Sequence, residues 1–136
     1  MRKVIIFFVI FNNFFVFSCN NVKENILLEI LKEKSYFHEF EVINEKVLIR
    51  CNIFIKNNTK NNVSFKINAI FKDDVRTGLI KQEILEGYNE DLETNIFTIS
   101  ANEIVNFTVI FLGEFAGQYQ KHNRELPKKI NIDILK

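Results

Sequence analysis

The chain has 136 residues, a formal net charge of +1 and only two cysteines. Its length suits one domain, and its near-neutral charge offers no basic surface for nucleic acid. Two cysteines are too few for a disulfide scaffold or a Cys-based zinc site, so we expect neither, and no motif predicts a cofactor.

The first nineteen residues have the layout of a secretory signal. Arg2 and Lys3 form a cationic start, residues 4–17 are almost wholly apolar, and the small residue Ser18 precedes Cys19. This order of basic, apolar and small residues is typical of a signal peptide. At about 1.5 Å per residue, the apolar run makes a helix too short to cross a hydrocarbon core of about 30 Å comfortably. A cleaved or lipidated signal is therefore favoured over a permanent membrane span.

The segment that ends in Cys19 resembles the lipobox of bacterial lipoproteins. Val16 fits the aliphatic position and Ser18 the small position, whereas Phe17 stands where a smaller residue is more usual. The resemblance implies a signal peptide over residues 1–18 and a diacylglyceryl group on Cys19, which becomes the new N-terminus. It also implies a membrane anchor on the extracytoplasmic face. The alternative is a plain signal peptide that ends near a cysteine.

Residues 19–35 are expected to form a tether that contains a first strand or a short helix. Asn21 and Glu24 have the spacing of a helical capping box, and residues 26–31 carry apolar side chains at helical intervals. The same residues also alternate as a strand would. The strand is favoured because the chain that follows has the pattern of strands.

Residues 36–136 are predicted to form a β domain. In residues 36–43, the alternation places Tyr36, His38 and Phe40 on one face. His38 is therefore expected to be partly buried rather than to bind a metal, because no second ligand lies nearby in the sequence.

The clearest strand pattern is a predicted β-hairpin from Val47 to Phe71. Apolar residues alternate on both sides of the Asn-rich turn at residues 57–62. Cys51 falls on the apolar face, so we expect a buried hydrophobic residue rather than a reactive thiol.

A second hairpin is predicted from residues 96–100 and 104–112. This segment resembles a strand–turn–strand unit common in immunoglobulin-like accessory domains of bacterial lipoproteins, with Ala101 at a position that often carries Pro. The resemblance implies an immunoglobulin-like fold and brings no catalytic residue with it.

Three further segments complete the predicted domain. Residues 79–86 are expected to form a strand with Ile80 and Ile84 on one side, after a polar turn at residues 73–78. Residues 87–95, which carry Glu90, Asp91 and Glu93, are interpreted as a solvated loop rather than a calcium site. They lack the regularly spaced oxygen ligands of an EF-hand. Residues 129–135 are expected to form the last strand, with Ile130, Ile132 and Ile134 inside.

The predicted fold is an antiparallel β-sandwich of seven to eight strands, immunoglobulin-like, with a small closed barrel as the alternative. The apolar strand faces should share one core. Its expected members include Val47, Ile49, Ile53, Ile55, Phe65, Ile67, Phe71, Phe107, Val109, Phe111, Ile130 and Ile132.

The longest stretch without alternation, residues 113–127, is the predicted binding site. Phe115 and Tyr119 would provide apolar anchors. Lys121, His122, Arg124 and the following Lys128 would meet an anionic envelope polymer or an acidic envelope protein. The alternative is that Phe115 and Tyr119 fold back to cap the open end of the sandwich.

No catalytic motif was recognised in the sequence, which favours a non-catalytic binding or accessory module on the cell envelope. Two other functions stay open. One is a structural lipoprotein that pairs with a partner through a sheet edge. The other is an unrecognised hydrolase.

Overall fold

The structure, a computed structural model, describes residues 26–119 and 124–136. The described residues form eight strands and one short helix, which confirms the all-β class. These elements are β1 (Leu28–Ile30), β2 (Tyr36–Ile43), β3 (Lys46–Asn57), β4 (Val63–Ile70), α1 (Lys72–Arg76), β5 (Ile84–Tyr88), β6 (Phe97–Ile99), β7 (Ile104–Glu114) and β8 (Ile130–Ile134). The signal segment, Lys121 and His122 lie outside the described residues.

The strands form one antiparallel sheet that is nearly closed on itself. Its longest strand, β3, pairs with β7 along its whole length on one edge. On the other edge, β3 carries β1 and β2 end to end. The prediction left open whether residues 19–35 contain a strand or a helix, and the structure places β1 there.

The second half of the sheet is built around β4. Strand β8 pairs with one edge of β4, and β5 and β6 share the other edge. Strand β5 also pairs with β7 through two residue pairs, so it joins the two halves. Gly87 allows β5 to approach β7 this closely, because a Cβ atom at position 87 would lie 2.6 Å from Cγ1 of Val109. A strand glycine of this kind permits close approach at a sheet corner.

The inward faces of β3, β4 and β7 meet in one hydrophobic core, as predicted. Phe107 of β7 packs edge-on against Phe65 of β4 and Phe97 of β6, with ring centroids 5.6 Å apart in both pairs. Of the predicted core residues, all but Phe107 and Ile132 are buried, and these two are partly buried against the same cluster. The alternation in the sequence therefore identified the core face of these strands.

Both predicted hairpins are wrong, although their strands are present. Strand β3 does not pair with β4, and β6 does not pair with β7, among the described residues. In each case the chain passes from one half of the sheet to the other, so the two strands face each other across the core. Alternation alone cannot separate these arrangements, because both bury the same residues.

The Asn57 side chain links the β3–β4 and β6–β7 connections, which both pass between the halves of the sheet. Asn57 is the last residue of β3, and it is fully buried. Its Nδ2 atom lies 2.8–3.3 Å from the carbonyl oxygens of Asn61, Ile99 and Ser100. Its Oδ1 atom accepts hydrogen bonds from the N–H and the hydroxyl of Thr59. One side chain thus joins the β3–β4 connection to the β6–β7 connection.

Backbone hydrogen bonds reinforce this junction. The Asn57 N–H donates to the carbonyl of Glu103, and the Asn102 N–H donates to the carbonyl of Thr59. The Asn62 side chain accepts from the N–H of Ala101 at 3.1 Å. We call residues 57–62 and 99–103 together the Asn57 junction.

A β-bulge in β2 overturns the predicted face of His38. The register with β3 shifts between Phe37 and Glu39, so His38 is an extra residue and is exposed. The bulge reverses the alternation before it. Phe37 and Phe40 are consequently the residues that pack on the core.

Smaller differences concern three other segments. The predicted polar turn at residues 73–78 overlaps α1, and the predicted strand at residues 79–86 begins only at Ile84. Ile80 is buried and Ile84 is 61% exposed, so the two residues expected on one side differ, and Leu85 is buried in place of Ile84. Ile134 is exposed at the end of β8, whereas Ile130 is buried.

We predict that Asn57→Ala lowers the free energy of unfolding by about 2–4 kcal/mol, because several buried polar groups lose their partner at once. Asn57→Asp should also destabilise, since a carboxylate accepts from Thr59 but cannot donate to the three carbonyls. Urea denaturation of the purified chain measures both changes.

The matched control is Asn58→Ala, which removes the same side chain from the exposed neighbouring position. Its denaturation midpoint should stay close to that of the wild type. Equal midpoints for Asn57→Ala and Asn58→Ala would contradict the role of the Asn57 junction.

Candidate functional site

The candidate site lies at the end of the domain opposite the Asn57 junction. Here β3 begins, β4 and β7 end, and β8 begins. Helix α1 and the chain that returns to β8 cover this end. Phe115 is half-buried there, and its N–H donates to the carbonyl of Glu45.

A buried ion pair joins α1 to the returning chain. The Nη2 atom of Arg124 lies 2.6 Å from Oδ1 of Asp74, and the two side chains are only 10% and 17% exposed. The backbone oxygen of Asp74 also accepts from the N–H groups of Leu79 and Ile80. Asp74 therefore holds both Arg124 and the turn that follows the helix.

The Arg124 guanidinium also lies over the ring of Phe40. Its central carbon lies 5.0 Å from the centre of the Phe40 ring, within the range of a cation–π contact. The Tyr119 ring lies 5.9 Å from Phe40. Arg124 thus connects β2, α1 and the returning chain. Its Nε atom is buried and has no hydrogen-bond partner among the described residues.

A cavity of about 530 Å³ opens between α1 and residues 124–129. Its apolar lining includes Ile49 and Phe71, which are 1% and 5% exposed and belong to the core. Leu126 and Pro127 line it from the returning chain. A volume of this size falls within the range of about 300–1,000 Å³ that is usual for small-molecule sites.

The charged residues around the cavity are four cations and three anions, a net charge of +1. They are Lys72, Arg124, Lys128, Lys129, Asp73, Asp74 and Glu125. Several are already paired: Asp74 with Arg124, Asp73 with Arg76, and Lys72 with Glu83 at 3.9 Å. Lys128 and Lys129 make no ion pair among the described residues, so they are the cations left to meet a ligand.

Cys51 belongs to β3, the strand between β2 and β7 in the sheet, and its side chain is buried in the core. This burial confirms the prediction of a buried hydrophobic residue. Burial raises the pKa of its thiol to about 12, an effect that the positive charge of Arg124 partly opposes. The thiol is therefore protonated at neutral pH and is no nucleophile there.

The structure brings two residues of the predicted binding site, Tyr119 and Arg124, to the same Phe40 ring but gives them different environments. Tyr119 is 58% exposed, whereas Phe115 packs partly against the core. The side chain of Arg124 is only 10% exposed and is neutralised by Asp74, so it is not a free charge on the surface. Lys121 and His122 lie outside the described residues, so their place in a site stays a prediction.

Sequence reasoning missed Asp74, Phe71 and Leu126 as residues of this region. Asp74 sits in an Asp-Asp pair that resembles any solvated turn, and Phe71 looks like a core residue only. The available signal for Leu126 was its position beside the single proline, in the stretch already marked as irregular.

Two further features of the described ranges bear on the site. Within residues 26–119 and 124–136, no group of three His, Cys, Asp or Glu side chains is placed to hold a metal ion. The same ranges contain no helix long and apolar enough to cross a membrane.

We predict that Asp74→Asn lowers the free energy of unfolding by about 2–4 kcal/mol, because it leaves the Arg124 charge buried without its partner. Combining it with Arg124→Met should recover part of the loss, since the unpaired charge is then gone. Thermal unfolding of the three variants measures this coupling.

Asp73→Asn is the matched control, because its ion pair with Arg76 is about 78% exposed on both sides. Exposed pairs contribute little, so its melting temperature should barely change. If Asp73→Asn and Asp74→Asn destabilise equally, the Arg124–Asp74 pair does not hold this end of the domain together.

No protein-family model, curated protein or solved structure matches this chain. The cavity, its charges and the first nineteen residues are therefore the features from which a function is inferred.

Proposed function

We propose that this protein is a lipid-anchored bacterial lipoprotein whose β domain binds a small ligand outside the cytoplasm without catalysing a reaction. Residues 1–18 act as the signal peptide, and Cys19 carries the lipid. The domain is an immunoglobulin-like sandwich. The two halves of the sheet face each other, which supports this assignment. Strand β5 pairs with both β4 and β7 and so joins the two halves, which makes the sheet barrel-like and distinguishes it from a simple sandwich.

The observation that carries the binding function is the cavity beside Arg124. It reaches two core side chains, Ile49 and Phe71, although a stable core normally excludes such space. A concave apolar site with a few polar groups at its rim is the usual form of a ligand pocket. The Arg124–Asp74 pair fixes one wall and so preforms the site.

The proposed site modifies the binding surface predicted from the sequence. Ligand contacts move from the exposed part of the loop to residues 124–129 and to the start of α1. Phe115 contributes to the cap of this end, which was the alternative for that residue. Tyr119 contacts Phe40, the aromatic ring over which the Arg124 guanidinium lies.

Pairing through a sheet edge, the alternative function, receives less support at the edge formed by β2. The outer edge of β2 carries a bulge at His38 and the charged residues Glu39 and Glu41. Bulges and charges on an edge strand discourage the addition of another strand.

The membrane anchor is tested by Cys19→Ala. The wild-type chain should fractionate with membranes and carry the added mass of acyl chains on Cys19, because buried acyl methylenes supply about 0.8 kcal/mol each. The variant should stay as an unprocessed precursor or leave the membrane fraction. Unchanged mass and fractionation, together with no acyl mass on the wild type, would refute the anchor.

The cavity is tested with small photoreactive fragments on membranes that contain the full-length protein. Mass spectrometry should locate the crosslinks within residues 70–74 and 124–129. Leu126→Trp fills part of the cavity and should reduce this labelling, with a melting temperature measured in parallel to show that the variant folds. Labelling that is absent there, or concentrated elsewhere on the domain, would refute the proposed site.

A further inference from the structure

We infer that the cavity takes a small amphipathic monoanion, an alkyl or aryl carboxylate. Its apolar body lies against Phe71 and Leu126, and its carboxylate lies near Lys128 and Lys129. The inference rests on the proposed function, because it names the class of ligand for the same site.

The apolar part of the ligand follows from the apolar side chains that line the cavity. Ile49 and Phe71 line it from the core, and Leu126 and Pro127 line it from the returning chain. These four side chains offer no hydrogen-bonding partner, so a polar group that lay against them would lose its hydration without compensation. An alkyl or aryl group instead gains from leaving water.

The anionic part follows from which charges are free. Arg124 is the most buried cation of the site, but Asp74 already neutralises it at 2.6 Å. Lys72 lies near Glu83, at 3.9 Å. Lys128 and Lys129 are exposed at the rim and have no acidic partner among the described residues.

Glu125 is the anion of the rim that could oppose such a ligand. It makes no ion pair among the described residues, so two free lysines face one free carboxylate. The remaining charge of +1 suits a single negative charge on the ligand. A dianion such as a phosphate monoester would leave one charge unmatched.

Equilibrium dialysis of the full-length protein in nanodiscs tests the inference, with empty nanodiscs as the blank. The probes are 4-phenylbutyrate and its neutral amide, 4-phenylbutanamide, which share the same apolar body. We expect the wild type to bind the acid on the order of fivefold more tightly than the amide, because rim charges contribute modestly. Raising the salt concentration should reduce this preference.

The double variant Lys128→Gln/Lys129→Gln should bind acid and amide alike, with an amide affinity close to that of the wild type. Lys32→Gln/Lys60→Gln is the matched control, because it removes two exposed lysines that do not line the cavity. It should keep the preference for the acid.

Equal affinity of the wild type for acid and amide would overturn the inference of an anion. So would a preference that survives in Lys128→Gln/Lys129→Gln, or a failure to bind either probe. Crosslinking of other fragments in the cavity would then still support the proposed function, whereas absent crosslinking would refute that function independently.

Discussion

The fold depends on one buried amide. Asn57 continues the inward series of β3 but carries a polar side chain into a position where the preceding residues are apolar. Burying this group is favourable only because the neighbouring connections supply its partners. The Asn57 junction stabilises an arrangement in which both connections pass between the halves of the sheet at the same end.

The two ends of the domain solve the same problem in different ways. At the junction end, one neutral side chain and several backbone groups satisfy each other, and the loops lie close together. At the other end, an ion pair between α1 and the returning chain spans the opening and leaves a cavity beside it. A charged pair holds two segments through a single contact, so the surrounding space need not be filled. The candidate site therefore lies at the end that the ion pair holds together, and not at the junction end.

The sequence marked the right region of the chain but not the roles within it. It identified residues 113–127 as irregular and rich in aromatic and cationic side chains, and Arg124 and Leu126 do line the cavity. It treated Arg124 as a free charge, because its partner Asp74 is 50 positions away in a different turn. Ion pairs between distant segments leave no periodic trace. The bulge at His38 was missed for a related reason, since one extra residue reverses a face without changing composition.

Period-2 alternation determined the all-β class, the strands of the core and the burial of Cys51, because side chains alternate between the two faces of any strand. The composition of the first nineteen residues determined the prediction of a lipid anchor, which depends on local sequence only. Tertiary structure decided which strands are neighbours, since burial of an apolar face is satisfied equally by a hairpin or by a crossing connection. It also decided that Arg124 is a wall of the cavity and that Lys128 and Lys129 are its free cations, because pairing of charges depends on distances between segments far apart in the chain.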